Sequence, residues 1–147
     1  QFMERMLSTY NFNNFKLRFL GDGWDRLEPI AKRNNIDLKL TTDADYSVYP
    51  QFYQDIDYLL IPGLWTAGPI SFQESLSTGT PVISADVGFA GYELKPDHIF
   101  PPNDVNSLSK ILDKIQEPLL KRRRQVVNMS WLNYATDLIN FINKIKK

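Results

Sequence analysis

The chain has 147 residues, with 17 Lys and Arg balanced against 17 Asp and Glu, one His and no Cys. That length suits one domain with a proper core, and a net charge of zero gives no reason to expect nucleic acid, which would want a basic surface. Without cysteine neither a disulfide framework nor a thiolate metal site can form. No apolar run approaches the ~20 residues that a membrane-spanning helix needs.

Gln1 to Tyr10 places Phe2, Met3, Met6 and Leu7 on one face, as in the end of an amphipathic helix. The N-terminus lacks the pattern of a signal peptide. Because Gln1 already falls inside a helical pattern, the chain reads as a piece of something longer. Asn11 to Asn14 is a polar turn, and Phe15 to Leu20 alternates apolar and basic residues with strand period. Gly21-Asp22-Gly23 ends that strand, with Asp22 expected to cap the next helix. Trp24, Leu27, Ile30 and Ala31 keep helical spacing, and Pro29 is tolerable there only near the first turn. Asn34-Asn35 stops the helix, and Ile36, Leu38 and Leu40 alternate as a second strand.

Thr41 to Tyr49 is polar and turn-like, and Pro50 to Gln54 can hold a single helical turn. Asp57 to Ile61 is an apolar run too short for a helix of its own. Loop residues Gly63 to Gly68 follow. Pro69 suits the first position of a helix, which Gly79 stops. Thr80-Pro81 leads into the strand Val82-Ile83-Ser84. Such a βαβ unit aims the free N–H groups and positive dipole of a helix N-terminus at the carboxyl edge of a sheet, which suits a phosphate.

Asp86 to Gly91 is a Gly-containing loop, Tyr92 to Leu94 a helical turn, and His98 to Phe100 a minimal edge strand. Asp104 is placed to cap a helix carrying Val105, Leu108, Leu112 and Ile115 on one stripe. Pro118 is expected to break that helix and open another, through Met129. A last helix, 130–146, presents Trp131, Tyr134, Leu138, Ile142 and Ile145 on its apolar face. Four or five strands alternating with six or seven helices imply an α/β fold with a parallel sheet.

Three segments carry a family likeness. Gly21-Asp22-Gly23, DYLLIPGLW (57–65) and GPISFQESLSTGTPVISADVG (68–88) together resemble the C-terminal domain of family 4 glycosyltransferases of the GT-B fold. Pro101-Pro102-Asn103-Asp104 and Ser130-Trp131 fit the same family's tail. The resemblance implies a Rossmann-like, nucleotide-sugar-binding domain over 1–147, lacking its first strand, with helix 130–146 packing back toward an N-terminal domain outside this sequence. It implies a cytoplasmic, retaining transferase that uses no metal or other cofactor. Its donor is a nucleotide sugar and its acceptor a glycan or a lipid-linked molecule. Half of a donor site is not expected to turn over alone.

The same resemblance assigns residues. Glu74 stands at the second glutamate of the family's E-x7-E pattern and would accept hydrogen bonds from the donor's ribose hydroxyls. The N–H groups of Ile70 and Ser71 would meet the diphosphate at the helix start, and stabilise the departing nucleoside diphosphate. Gly68, Gly88 and Gly23 complete the implied donor contacts. The pattern's first glutamate falls at Thr66, which stands at the catalytic position near the sugar and brings no negative charge. The family's basic pair for the diphosphate lies ahead of this chain, and Lys16 and Arg18, inside a strand, do not match it.

Other features admit plain readings. Asp43-Ala44-Asp45 and Asp55-Ile56-Asp57 spell the D-x-D of metal-dependent transferases, but capping explains both and no metal is expected. The glycines from Gly88 to Gly91 serve either positive φ or a ligand, and both readings stay open. Thr42, Tyr46 and Ser47 lie where the family often contacts the nucleotide base. His98 reads as a surface histidine and Trp65 as a brace for its loop. Lys121-Arg122-Arg123-Arg124 reads as a solvated face, with peripheral membrane contact as the alternative. Two rival functions stay open: a non-catalytic nucleotide-binding or partner domain of the same fold, supported by Thr66, and a nucleotide-sugar epimerase.

Overall fold

The computed structural model describes residues 1–65, 70–88, 90, 95–127, 136 and 139. Residues Gln1–Lys110 make up one compact unit and Ile111–Lys147 a second. Among the described residues are α1 (Phe2–Thr9), β1 (Lys16–Leu20), α2 (Glu28–Arg33), β2 (Asp37–Thr41) and α3 (Tyr49–Gln54). They continue as β3 (Leu59–Ile61), α4 (Ile70–Thr78), β4 (Val82–Ala85), β5 (His98–Phe100) and α5 (Val105–Val127).

Every strand pairing is parallel, as the alternation of strands and helices implies, but the strands form two sheets. β1 pairs with β2 in one, and β3, β4 and β5 lie in that order in the other. The pair is held at Lys16↔Asp37 through Leu20↔Thr41. Its burial follows strand period, with Lys16 and Arg18 exposed and Leu17 and Phe19 half-buried. In the triple, β4 is the central strand, and all four of its residues are buried. Strands buried on both faces are continuously apolar or small, and Val82-Ile83-Ser84-Ala85 reads that way.

The α1 face predicted from periodicity is the buried one: Phe2, Met3, Met6 and Leu7 are all in the core. Phe2 stacks on Phe100 of β5 with centroids 6.0 Å apart. Asn34, just past α2, donates from Nδ2 to the Leu7 carbonyl at 2.9 Å. One helix is thus tied to elements of both sheets. Around α4, Phe72 packs with Ile61 and Val82 of the neighbouring strands and with Ala90. Full burial of a side chain such as Phe72 contributes roughly 1.5–3 kcal/mol.

Three local expectations are corrected. Asp22 does not cap: Gly21 and Gly23 both hold positive φ, and the chain turns before a 3-10 segment, Asp25–Leu27, whose N-cap position is Trp24. Pro29 then sits at the start of α2, where a missing N–H costs nothing. β3 begins at Leu59, two residues later than the apolar run, with Asp57 in a bend. Pro118 does not break a helix but lies inside α5. Its ring removes one backbone hydrogen bond, and the helix continues on either side of that gap. Asp104 does cap α5, accepting from the Ser107 N–H at 3.0 Å and the Ser107 hydroxyl at 2.7 Å. Helix 130–146 and the turn at 92–94 lie outside the described residues, apart from helical Thr136 and Ile139.

Candidate functional site

β3, α4 and β4 follow one another as the sequence reading has them, while 66–69, with Pro69 as the expected first helical residue, lie outside the described residues. β3 is followed by Pro62 to Trp65, and α4 starts at Ile70. Ile70 and Ser71 are the first described residues of α4, and the first N–H groups of a helix have no acceptor within it. Ile70 is 69% exposed, and Ser71 is half-buried. The far end of α4 closes in a Schellman motif. Gly79 takes φ +77, its N–H reaches the Leu76 carbonyl at 3.1 Å, and the Thr80 N–H reaches Ser75 at 3.0 Å. Only glycine adopts that conformation without penalty.

Glu74 lies one turn into α4 and is half-buried. Both of its carboxylate oxygens are engaged. The Tyr46 hydroxyl donates to Oε1 at 2.5 Å and the Tyr53 hydroxyl to Oε2 at 2.7 Å. Tyr46 belongs to the 3-10 segment Tyr46–Val48 after β2, and Tyr53 to α3. A carboxylate on the second sheet's helix therefore draws in the loop that leaves the first sheet. Hydrogen bonding to ionised Glu74, then its charge, hold the Tyr46 phenol above its ordinary value. Burial first, and then the Glu74 bond, push the Tyr53 phenol well above its ordinary value. Both phenols consequently remain donors throughout the physiological range.

The two tyrosines differ in their freedom. Tyr46 is 66% exposed, with its ring against Tyr49 at 4.9 Å between centroids. Tyr53 is 3% exposed, and its carbonyl, one of the orphan acceptors of a helix C-terminus, accepts from the Thr80 hydroxyl at 2.6 Å. Thr80 in turn meets the Thr78 hydroxyl at 3.0 Å, and its own carbonyl accepts from buried Ser75 at 2.9 Å. The Gly79-Thr80 turn thereby anchors α3 as well as ending α4.

The remaining sequence-assigned residues divide as follows. Thr66 and Gly68 lie outside the described residues. Gly88 follows β4 in the left-handed region, φ +59, and Gly23 follows β1 at φ +78. Each therefore stands past the carboxyl end of a strand, although in different sheets. A Cβ at Gly23 would meet no atom within 4 Å, so backbone conformation, rather than crowding, calls for glycine there. Glu74, Ile70 and Ser71 share the first turns of one helix.

The acidic pairs have structural work. Asp45 accepts from the Ser47 N–H at 2.8 Å and caps the 3-10 segment. Asp55 ends α3 and accepts from Gln51 at 2.7 Å. Among the described residues no group of three His, Asp or Glu could hold a metal ion. Trp65 is 86% exposed, and 66–69 of the loop it was expected to brace lie outside the described residues. His98 is half-buried in β5, facing Tyr58 at 6.1 Å between centroids. Among the described residues no helix is long and apolar enough to cross a membrane. The side chains of the 121–124 basic run lie outside the described ones.

Sequence reasoning named Tyr46 with Thr42 and Ser47 without choosing among them, and passed over Tyr53 entirely. Neither contact has a local signal, because 28 and 21 residues separate these tyrosines from Glu74.

The chain is similar to known proteins. The chain is 29% identical over 111 residues to the lipopolysaccharide 1,6-galactosyltransferase of Escherichia coli (strain K12), covering 69% of this chain and 31% of that protein. It is 22% identical over 105 residues to Protein CapJ of Staphylococcus aureus, covering 69% of this chain and 27% of that one. Among solved structures, the apo form of the lipopolysaccharide outer core galactosyltransferase WaaB superposes with a TM-score of 0.63 at 18% identity, over 78% of this chain and 34% of that one. The chain thus spans about a third of the length of the relatives it matches. At that identity the superposition speaks for the fold, an α/β domain of the GT-B kind. The model of the family described as "Glycosyl transferases group 1" matches residues 3–129. With that match over most of its length, the chain belongs to the group 1 glycosyl transferases.

Proposed function

We propose that this chain is the donor-binding domain of a retaining, family 4 glycosyltransferase that moves a hexose from a nucleoside diphosphate carrier to a glycan or lipid-linked acceptor. The observation that supports the reading is the placement of Glu74 one turn beyond Ile70 and Ser71 on α4. A diphosphate at the helix start would be met by N–H groups and the positive end of the dipole. A ribose beyond it would reach the carboxylate. Charge developing on the leaving nucleoside diphosphate would be stabilised by donors already in place. Gly88 and Gly23 would let backbone come close to the donor, and Thr66 and Gly68 would stand between Trp65 and the helix start, nearest the sugar. The names of the E. coli relative and of WaaB support a hexosyl donor and a lipopolysaccharide-like acceptor. In this reading the domain works against an N-terminal partner domain, and helix 130–146 packs toward it.

Calorimetry of the complete protein with UDP-, GDP- and ADP-sugars, followed by turnover with acceptor, tests this. Binding of one nucleotide sugar that Glu74→Ala weakens is the expected result. Absence of binding to all three would overturn the reading. The engagement of both Glu74 oxygens by tyrosines favours the second reading, a non-catalytic domain of the same fold, and a protein that bound a nucleotide sugar without turning it over would match it.

A further inference from the structure

Resting on the ribose role of Glu74, we propose that Tyr53 is the positioning residue that aims the carboxylate, while Tyr46 occupies the place of a ribose hydroxyl and yields it when the donor binds.

The two phenol bonds look alike in length but not in surroundings. The Tyr53 bond is partly buried and the Tyr46 bond is exposed. Tyr53 cannot easily leave. Its ring is in the core, its carbonyl is held by Thr80 at 2.6 Å, and Thr80 is itself buried. A side chain fixed at both ends restricts the rotamer of whatever its hydroxyl binds. Glu74 Oε2 is therefore pinned from the interior side. A flexible carboxylate would lose rotamer freedom on binding a ribose, and a pinned one has lost it already.

Tyr46 is bound otherwise. It stands in a three-residue 3-10 segment, two-thirds exposed, with its ring resting on Tyr49. Its phenol gives Oε1 one hydroxyl donor on the side open to solvent. A ribose hydroxyl offers the same chemistry, an O–H to a carboxylate. Exchange of one for the other is close to neutral in hydrogen bonds, so Tyr46 keeps Glu74 satisfied without the donor and competes with the donor for it. Its release costs only the contact with Tyr49 and one exposed bond. The neighbouring acidic group, Asp45, is occupied by the Ser47 N–H and stays out of this exchange.

The test compares one ribonucleotide sugar that the complete protein binds with its deoxyribose counterpart, by calorimetry, in wild type, Tyr53→Phe and Tyr46→Phe. Tyr53→Phe is expected to weaken the ribonucleotide sugar about tenfold and leave the deoxy compound unchanged, because only the former uses the aimed carboxylate. Tyr46→Phe is expected to strengthen the ribonucleotide sugar about threefold or more, again without effect on the deoxy compound. Equal losses for both compounds in Tyr53→Phe would make its role one of packing and overturn the proposal. So would unchanged or weaker ribonucleotide binding in Tyr46→Phe. Should Tyr53→Phe fail to fold, the Tyr46→Phe result decides, since that residue is exposed. A wild-type protein that binds both compounds equally would instead refute the ribose role of Glu74. One that binds neither would refute the donor-domain reading.

Discussion

Replacing Thr80 by valine tests the anchor on which the site's geometry depends. The substitution keeps the branched shape and removes the hydroxyl that reaches the Tyr53 carbonyl at 2.6 Å. Thr80 is 6% exposed, so water cannot readily replace the lost donor. The carbonyl belongs to the last turn of α3, whose acceptors have no partner inside the helix. A buried acceptor left unmade costs about 1–3 kcal/mol. For a chain of this size that corresponds to a fall in Tm of roughly 2–4 °C per kcal/mol, so about 2–12 °C. Thermal unfolding followed by circular dichroism, with urea unfolding beside it, reads the change. Thr80→Ser keeps the hydroxyl and loses one buried methyl, worth about 0.8 kcal/mol, so it should fall between wild type and valine. A Thr80→Val protein as stable as wild type, or a serine variant as damaged as the valine one, would refute the assignment of this bond as the anchor.

Gly79→Ala should cost about 1–2 kcal/mol, the penalty of a left-handed non-glycine residue, and urea unfolding will show it. No atom lies within 4 Å of the added Cβ, so a much larger loss would mean that crowding, not backbone strain, governs the position. Tyr53 bears on pH dependence. Its phenol is held well above the ordinary value in the folded chain, so the stability it brings is complete below about pH 10. That stability is lost as pH rises further, because the unfolded chain then gives up its proton first, at up to about 1.4 kcal/mol per pH unit. Tyr53→Phe should flatten that alkaline slope, and an unchanged slope would count against the assignment. Ile70→Pro removes the amide of the first described residue of α4, and proline is tolerated in the first turn of a helix. It should weaken nucleotide-sugar binding by about tenfold with little change in Tm, and unaltered affinity would exclude that amide from the diphosphate site. Chelation of divalent cations should leave binding and turnover as they were, since Asp45 and Asp55 serve caps and turns.

Much of the architecture follows from local chemistry and was legible in the sequence. The buried stripe of α1, the alternation of β1, the Asp104 cap and the Gly79 stop each depend on residues within a turn or two of one another. Rules of period and capping act over that range, and there they hold. The same rules failed at Asp22 and Pro118. At Asp22 two glycines with positive φ let the chain turn before a cap could form. At Pro118 one lost backbone bond did not suffice to end a long helix. The helix read from Pro69 and the Gly79 stop carries Ile70, Ser71 and Glu74 together, as α4 does.

What surrounds Glu74 is a different matter. The resemblance in the sequence marked it as the carboxylate to expect at the ribose. The fold decided that both its oxygens are already occupied, by an exposed tyrosine and a buried one that approach from elements 28 and 21 residues away. Only packing determines which distant side chains meet a given carboxylate, since neither period nor propensity encodes a partner across a sheet edge. The same holds for Thr80: its place in Thr80-Pro81 announces a strand, but its hydrogen bond to Tyr53 exists only once α3 and α4 lie side by side.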